Sequence, residues 1–310
     1  MNIFLSYIRE FLKNIHTGLF LFCFSFAAVL IFLNYRYGIE PRILYNITNR
    51  LHRFAGFYLV YLAAFSIPYL FLFLVKGRQV AEWKFFLLLI LLAPAIFALK
   101  VTFGGLVQFI QNNIEGVWGR YTATIINLPS RMIVVVIPLF FIWWLGKYDY
   151  PFWGATINNF NWKPYMLMLL CMVPLVAFAS TQPDFLNTYP KVRQINFVVG
   201  HTNNGWLFKS LFEIAYGIDF ITIELFFRGF LVLAFVRFVG QDAILPMAVF
   251  YCSIHFGKPL AECISSFIGG LLLGIVVYHT KSITGGLLIH VGLAWMMEIG
   301  AIIGLLLKNK

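Results

Sequence analysis

The chain has 310 residues, 61% of them hydrophobic, 19% aromatic and only 11% charged, with a mean hydropathy of +0.84. Those proportions exclude an ordinary soluble domain and a disordered chain, both of which need far more polar surface. The net charge of +11 would suggest nucleic acid in a soluble protein, but Lys and Arg sit here in short connections between apolar stretches, where they anchor a membrane protein; no nucleic-acid partner is expected.

In chain order, residues 1–16 (MNIFLSYIREFLKNIH) put Ile3, Ile8, Phe11 and Leu12 on one side of a helix and Arg9 and Lys13 on another. That pattern suits the membrane interface or a cap on the bundle. The first long apolar run, about residues 17–35, is followed by LNYRYG rather than by small residues suited to cleavage, so it is expected to stay as an anchor. Further apolar runs follow at about 54–75, 85–106, 131–146, 164–180, 208–238, 242–256, 259–279 and 283–307. Most are long enough to cross roughly 30 Å of hydrocarbon as a helix. They predict an all-α, polytopic transmembrane bundle of about eight to nine spanning helices, with 208–238 forming one helix or two. The polar intervals 107–130 and 181–207 are too short and too aromatic for a soluble domain. The chain therefore reads as one membrane domain with N-terminal scaffold helices over 1–205 and a polar core over 206–310. The expected location is multi-pass, in the cytoplasmic membrane of a bacterium, with lipid as a standing partner. Cys23, Cys171, Cys252 and Cys263 all fall in apolar segments without a C-x-x-C spacing and read as small core residues.

Ionisable side chains are costly in hydrocarbon and normally face a partner or a wet cavity. Glu213, Asp219, Glu224, Arg228, His255, Glu262, His279, His290 and Glu298 crowd the last third, while the apolar cores of the earlier spans hold almost none. That asymmetry points to a site between residues 208 and 300. Glu224 and Arg228, four apart in IELFFRGF, share a helix face in the order that suits an ion pair; alone they read as a structural bridge. His255 lies in FYCSIHFGKP before a Gly-x-Pro break and His290 in GGLLIHVGLAW behind two glycines. Two such histidines and an intramembrane acid suggest convergence on one polar cavity.

With these residues in hand, IELFFRGF, then YCSIH, then IHVGLA resembles the CAAX prenyl protease and bacteriocin-processing (CPBP) family of intramembrane endopeptidases over roughly residues 205–305. The family's motifs read Glu-Glu-x-x-x-Arg, Phe-x-x-x-His and His-x-x-x-Asn. Glu224 and Arg228 stand at the second Glu and the Arg, Tyr251 and His255 at the second motif with Tyr for Phe, and His290 at the third. The resemblance implies hydrolysis of a peptide bond in a membrane-embedded polar cavity, with a peptide or protein substrate. It also implies a division of labour between water activation and oxyanion stabilisation.

Two departures stand out. Ile223 occupies the position of the family's first Glu, and Ala294 that of the closing Asn. Asp219, one turn before Ile223, is the geometric substitute for the lost acid, against its plainer reading as a helix start after YGID. Glu213 sits about three turns before Glu224, and Glu298, one turn beyond Ala294, is allowed toward the same cavity; both read otherwise as acids paired with a cationic or hydroxyl side chain. The candidate catalytic residues are thus Glu224, His255, His290, Arg228 and Asp219. No cofactor is expected. Zinc is the minor alternative, because there is no H-E-x-x-H and the histidines are far apart in sequence. The competing functional reading is a catalytically inactive relative that binds a membrane partner through the same cavity, and a transporter is weaker because the charges cluster in one part of the chain.

Overall fold

The computed structural model describes residues 2–77, 80–158 and 160–308, and no strand occurs among them. The helices are α1 (Asn2–Asn14), α2 (Thr17–Tyr37), α3 (Arg50–Lys76), α4 (Trp83–Thr102), α5 (Gly105–Asn113), α6 (Gly116–Gly146), α7 (Lys163–Ala179), α8 (Pro183–Thr188), α9 (Asn196–Val199), α10 (Gly205–Ile223), α11 (Phe235–Val239), α12 (Ile244–Ser253), α13 (Leu260–Thr280) and α14 (Thr284–Lys308). A wide π-helical stretch, Glu224–Ala234, joins α10 to α11, and a second one, Ile39–Leu44, follows α2.

The chain is a helical polytopic membrane protein. Among the described residues six helices are long and apolar enough to cross a membrane, or up to seven if the bent run Lys163–Ala179 with Pro183–Val199 is one span. This is fewer than the expected eight or nine. The excess comes partly from α12, a ten-residue helix with every residue buried. At 1.5 Å per residue it is about 15 Å long, a core helix rather than a span. It comes also from 208–238, which lies in the unbroken helical run 205–239. Large apolar side chains such as Leu74, Leu145 and Phe178 stay exposed on the long helices, which suits lipid and not water.

The chain divides into two compact units, one formed by 1–102, 137–156 and 225–283, the other by 103–136, 157–224 and 284–310. In the first, α12 sits among α2, α3 and α13, and α1 lies against α13, with Phe4 and Phe11 of α1 buried. Its core is aromatic: the Phe250 ring lies 5.2–5.9 Å from the rings of Tyr61, Phe65, Phe97, Phe226 and Phe227. In the second, α14 packs against α7, α8 and α10. Phe185, Leu186, Tyr189 and Ala301 form one buried cluster there, and Tyr121, Val192, Ile195, Val198 and Phe212 another.

Candidate active site

In the second unit, Glu224 begins where α10 gives way to wide turns, a local form recurrent at functional sites. Its carboxyl is fully buried, and Oε1 accepts from His290 Nδ1 at 2.5 Å. His290 lies in α14 five residues after Gly285, and its ring stacks on Phe220 at 5.4 Å. Gly286 is dictated by this pair, since a Cβ there would occupy the space of Glu224 Oε2. A carboxylate on Nδ1 fixes the ring and balances the charge of an imidazolium, in which Nε2 becomes a second donor.

In the first unit, the fully buried Arg228 guanidinium lies 4.0 Å above the Tyr251 ring, a cation–π contact. Tyr251 in turn meets His255, ring centroids 4.7 Å apart and inclined by 65°. His255 follows α12 on a turn in which its N–H bonds Cys252 O at 3.0 Å and its carbonyl accepts from Lys258 N–H, also at 3.0 Å. Its Nδ1 is 2.9 Å from Tyr251 O. A carbonyl can only accept, so Nδ1 carries the hydrogen and Nε2 of the neutral ring is the lone-pair nitrogen. The helix break expected at Gly257 and Pro259 is present, so Glu262 opens α13 and pairs with Lys258 at 3.5 Å.

The remaining candidates behave differently. Asp219 lies inside α10, which begins at Gly205; the helix-start reading of YGID is corrected, because apolar residues from Trp206 onward carry the helix through it. Glu298 accepts the backbone N–H of Lys191 at 2.6 Å and of Val192 at 3.1 Å. Both its oxygens thus cap the tight turn Lys191–Ile195, which overturns its expected orientation toward the motif residues and its pairing with a cationic or hydroxyl side chain. Glu213 lies within hydrogen-bonding reach of Glu298. His279 stacks on Tyr7 at 4.3 Å. Cys23, Cys252 and Cys263 are buried, but Cys171 is exposed on the outer face of α7, where a small thiol is tolerated by lipid. Among the described residues no three His, Cys, Asp or Glu side chains converge as a metal ion requires.

Three polar residues escaped the sequence reading. Asn34 and Glu40 are buried at 1% and 7% exposure, and with Tyr35 they reach the turn after His255. The interval after the first span was read only for its arginines; the buried Asn and Glu flanking Gly38 in LNYRYGIEP were the available signal.

An acid–histidine pair and a second histidine beside an aromatic ring mark the last third of this polytopic helical membrane protein. Residues 205–296 match the family model described as type II CAAX prenyl endopeptidase, Rce1-like, so this segment is similar to that family. The matched range contains Glu224, Arg228, Tyr251, His255 and His290. No curated protein and no solved structure gives a match.

Proposed function

We propose that the protein is an intramembrane endopeptidase in which His255 is the base that activates water, with Glu224 and His290 as further catalytic residues. His255 Nε2 takes a proton from water as the hydroxide oxygen adds to the carbonyl carbon of the substrate peptide. His290, held through Nδ1 by Glu224, is a hydrogen-bonding group of the kind that stabilises developing negative charge. Collapse of the tetrahedral adduct breaks the C–N bond, and His255 returns its proton to the leaving amine. Arg228 holds Tyr251, the ring against which His255 rests, and Asp219 is a reserve acid in α10. The observation that carries this reading is the Glu224–His290 hydrogen bond at 2.5 Å. It ties His290 to an acid in a chain where the family's closing Asn is replaced by Ala294, while the loss of the first Glu to Ile223 leaves water activation to His255 in this proposal.

The test is cleavage of quenched-fluorescence peptide libraries, prenylated and unprenylated, by protein in lipid nanodiscs. His255→Ala and His290→Ala are each expected to lower kcat/KM by roughly 10³-fold or more. Equal cleavage by parent and both variants overturns the mechanism, and cleavage abolished by a chelator replaces it with a zinc reaction. The second reading, an inactive relative that binds a membrane partner, is favoured by Ile223 and Ala294. Its mark is a parent that cleaves no peptide yet co-purifies with a stoichiometric partner lost on mutating Glu224.

A further inference from the structure

The end of α2 and the turn that follows it grip the backbone next to His255 at three consecutive residues. Asn34 Nδ2 donates to Phe256 O at 2.9 Å. Glu40 accepts the N–H of Gly257. The Tyr35 hydroxyl donates to Lys258 O at 2.6 Å. The grip is braced internally: Glu40 N–H donates to Asn34 Oδ1 at 3.0 Å, and Gly38 N–H donates to Asn34 O at 2.7 Å. Gly257 admits the carboxyl, since a Cβ there would lie 2.8 Å from Glu40 Oε1. All these residues belong to the same compact unit.

From this we infer that Asn34 and Glu40 are positioning residues for His255, holding the 255–258 turn so that the imidazole keeps one orientation. The turn between the buried ten-residue helix and the Pro-initiated one bonds the N–H groups of His255, Phe256 and Lys258 locally, and the grip takes up the Gly257 N–H and the Phe256 and Lys258 carbonyls. His255 has Nδ1 tied to Tyr251 O within its own turn of chain, so its aim follows the backbone that carries it. Side chains on a separate helix that pin a carbonyl, an amide and a carbonyl in succession remove the freedom of that backbone. A purely structural staple between helices could use any exposed backbone group; this one closes on the three residues after the histidine.

Glu40 acts as a neutral acid through most of the neutral range. Burial pushes it up to about 8 from the ordinary 4.5, against the opposing effects of Lys258 and the Gly257 N–H. Glu40→Gln therefore reproduces the acceptor and the charge state, whereas Glu40→Ala removes both.

The inference rests on the proposed role of His255 but is tested separately from it. Protein in nanodiscs is treated with diethyl pyrocarbonate, and modification of each of the six histidines is followed by mass spectrometry, with His290 as internal reference. Asn34→Ala and Glu40→Ala are expected to raise the rate at His255 several-fold with no change at His290, and to lower peptide kcat/KM roughly 10- to 100-fold. Glu40→Gln is expected to restore both values to within about 3-fold of the parent. If Glu40→Ala does not fold, Asn34→Asp serves in its place: it keeps the acceptor for Glu40 N–H and loses the donor to Phe256 O. An unchanged rate at His255 in Asn34→Ala and Asn34→Asp overturns the inference, as does a Glu40→Gln protein as defective as Glu40→Ala. A parent without peptidase activity counts against the proposed function alone, because the modification rates still decide the positioning role.

Discussion

His255 and His290 both tie down Nδ1, yet to opposite kinds of acceptor. His290 meets a buried carboxylate, so its ring is matched to a positive charge. His255 meets a backbone carbonyl and rests on a tyrosine whose ring also carries the Arg228 guanidinium, an arrangement that opposes a second positive charge. One imidazole is thus set by a side chain and suited to donate; the other is set by chain geometry and suited to accept. The same residue type is suited to two different roles when its partner, and not its own chemistry, is varied.

The largest effect should come from breaking the charged side of that contrast. Glu224→Gln keeps the shape and hydrogen-bonding capacity but removes the counter-charge of an imidazolium, and a loss of roughly 10³- to 10⁴-fold in kcat is expected in steady-state cleavage assays. A loss below about tenfold would mean that His290 works as a neutral ring. Gly286→Ala attacks the same pair sterically. The new methyl meets the Glu224 carboxyl, and overpacking of about 1–3 kcal/mol is expected to lower the thermal midpoint and displace Glu224. His255 modification should stay at the parent rate.

On the geometric side the lever is Glu40. It holds its proton up to about pH 8, whereas the unfolded chain releases it near the ordinary value of 4.5. Folding takes up a proton across that window, so stability falls as pH rises from about 4.5 to 8 and is level above it. Glu40→Gln is expected to abolish this slope and to raise the melting temperature at pH 8 by roughly 2–5 °C relative to the parent, with little difference at pH 5. A parent melting curve indifferent to pH over that range would show Glu40 ionised in the fold. The smallest effect is expected from Tyr251→Phe. The ring under Arg228 and beside His255 is retained, and kcat/KM should stay within about threefold of the parent, while Tyr251→Leu loses a cation–π contact of about 0.5–2 kcal/mol and should loosen Arg228 and His255 together.

Much of this was legible from residues alone. The membrane class followed from apolar run length, and the crowding of ionisable groups with three short motifs singled out Glu224, Arg228, His255 and His290 as candidates. What failed did so for identifiable reasons. Run length does not separate a span from a buried helix, so the ten residues of α12, as apolar as any neighbour, inflated the count. Asp219 looked like a helix start because local propensity was weighed without the preceding apolar turns. Glu298 could not be assigned its backbone partners, since Lys191 and Val192 are 107 and 106 positions away in the chain. Asn34 was hidden in the same way, 222 positions from Phe256. Pairings of that kind have no periodic signature; only the closed fold reveals them.

The grip of Asn34, Tyr35 and Glu40 also bears on how such a protein can be dissected. A fragment cut to the family-matched stretch would begin some 165 residues after Glu40 and would carry every motif while losing the hands that steady one of them. Sequence signature and working part are then different lengths of chain, and supplying residues 1–102 as a separate polypeptide becomes a complementation experiment for restoring the missing hold.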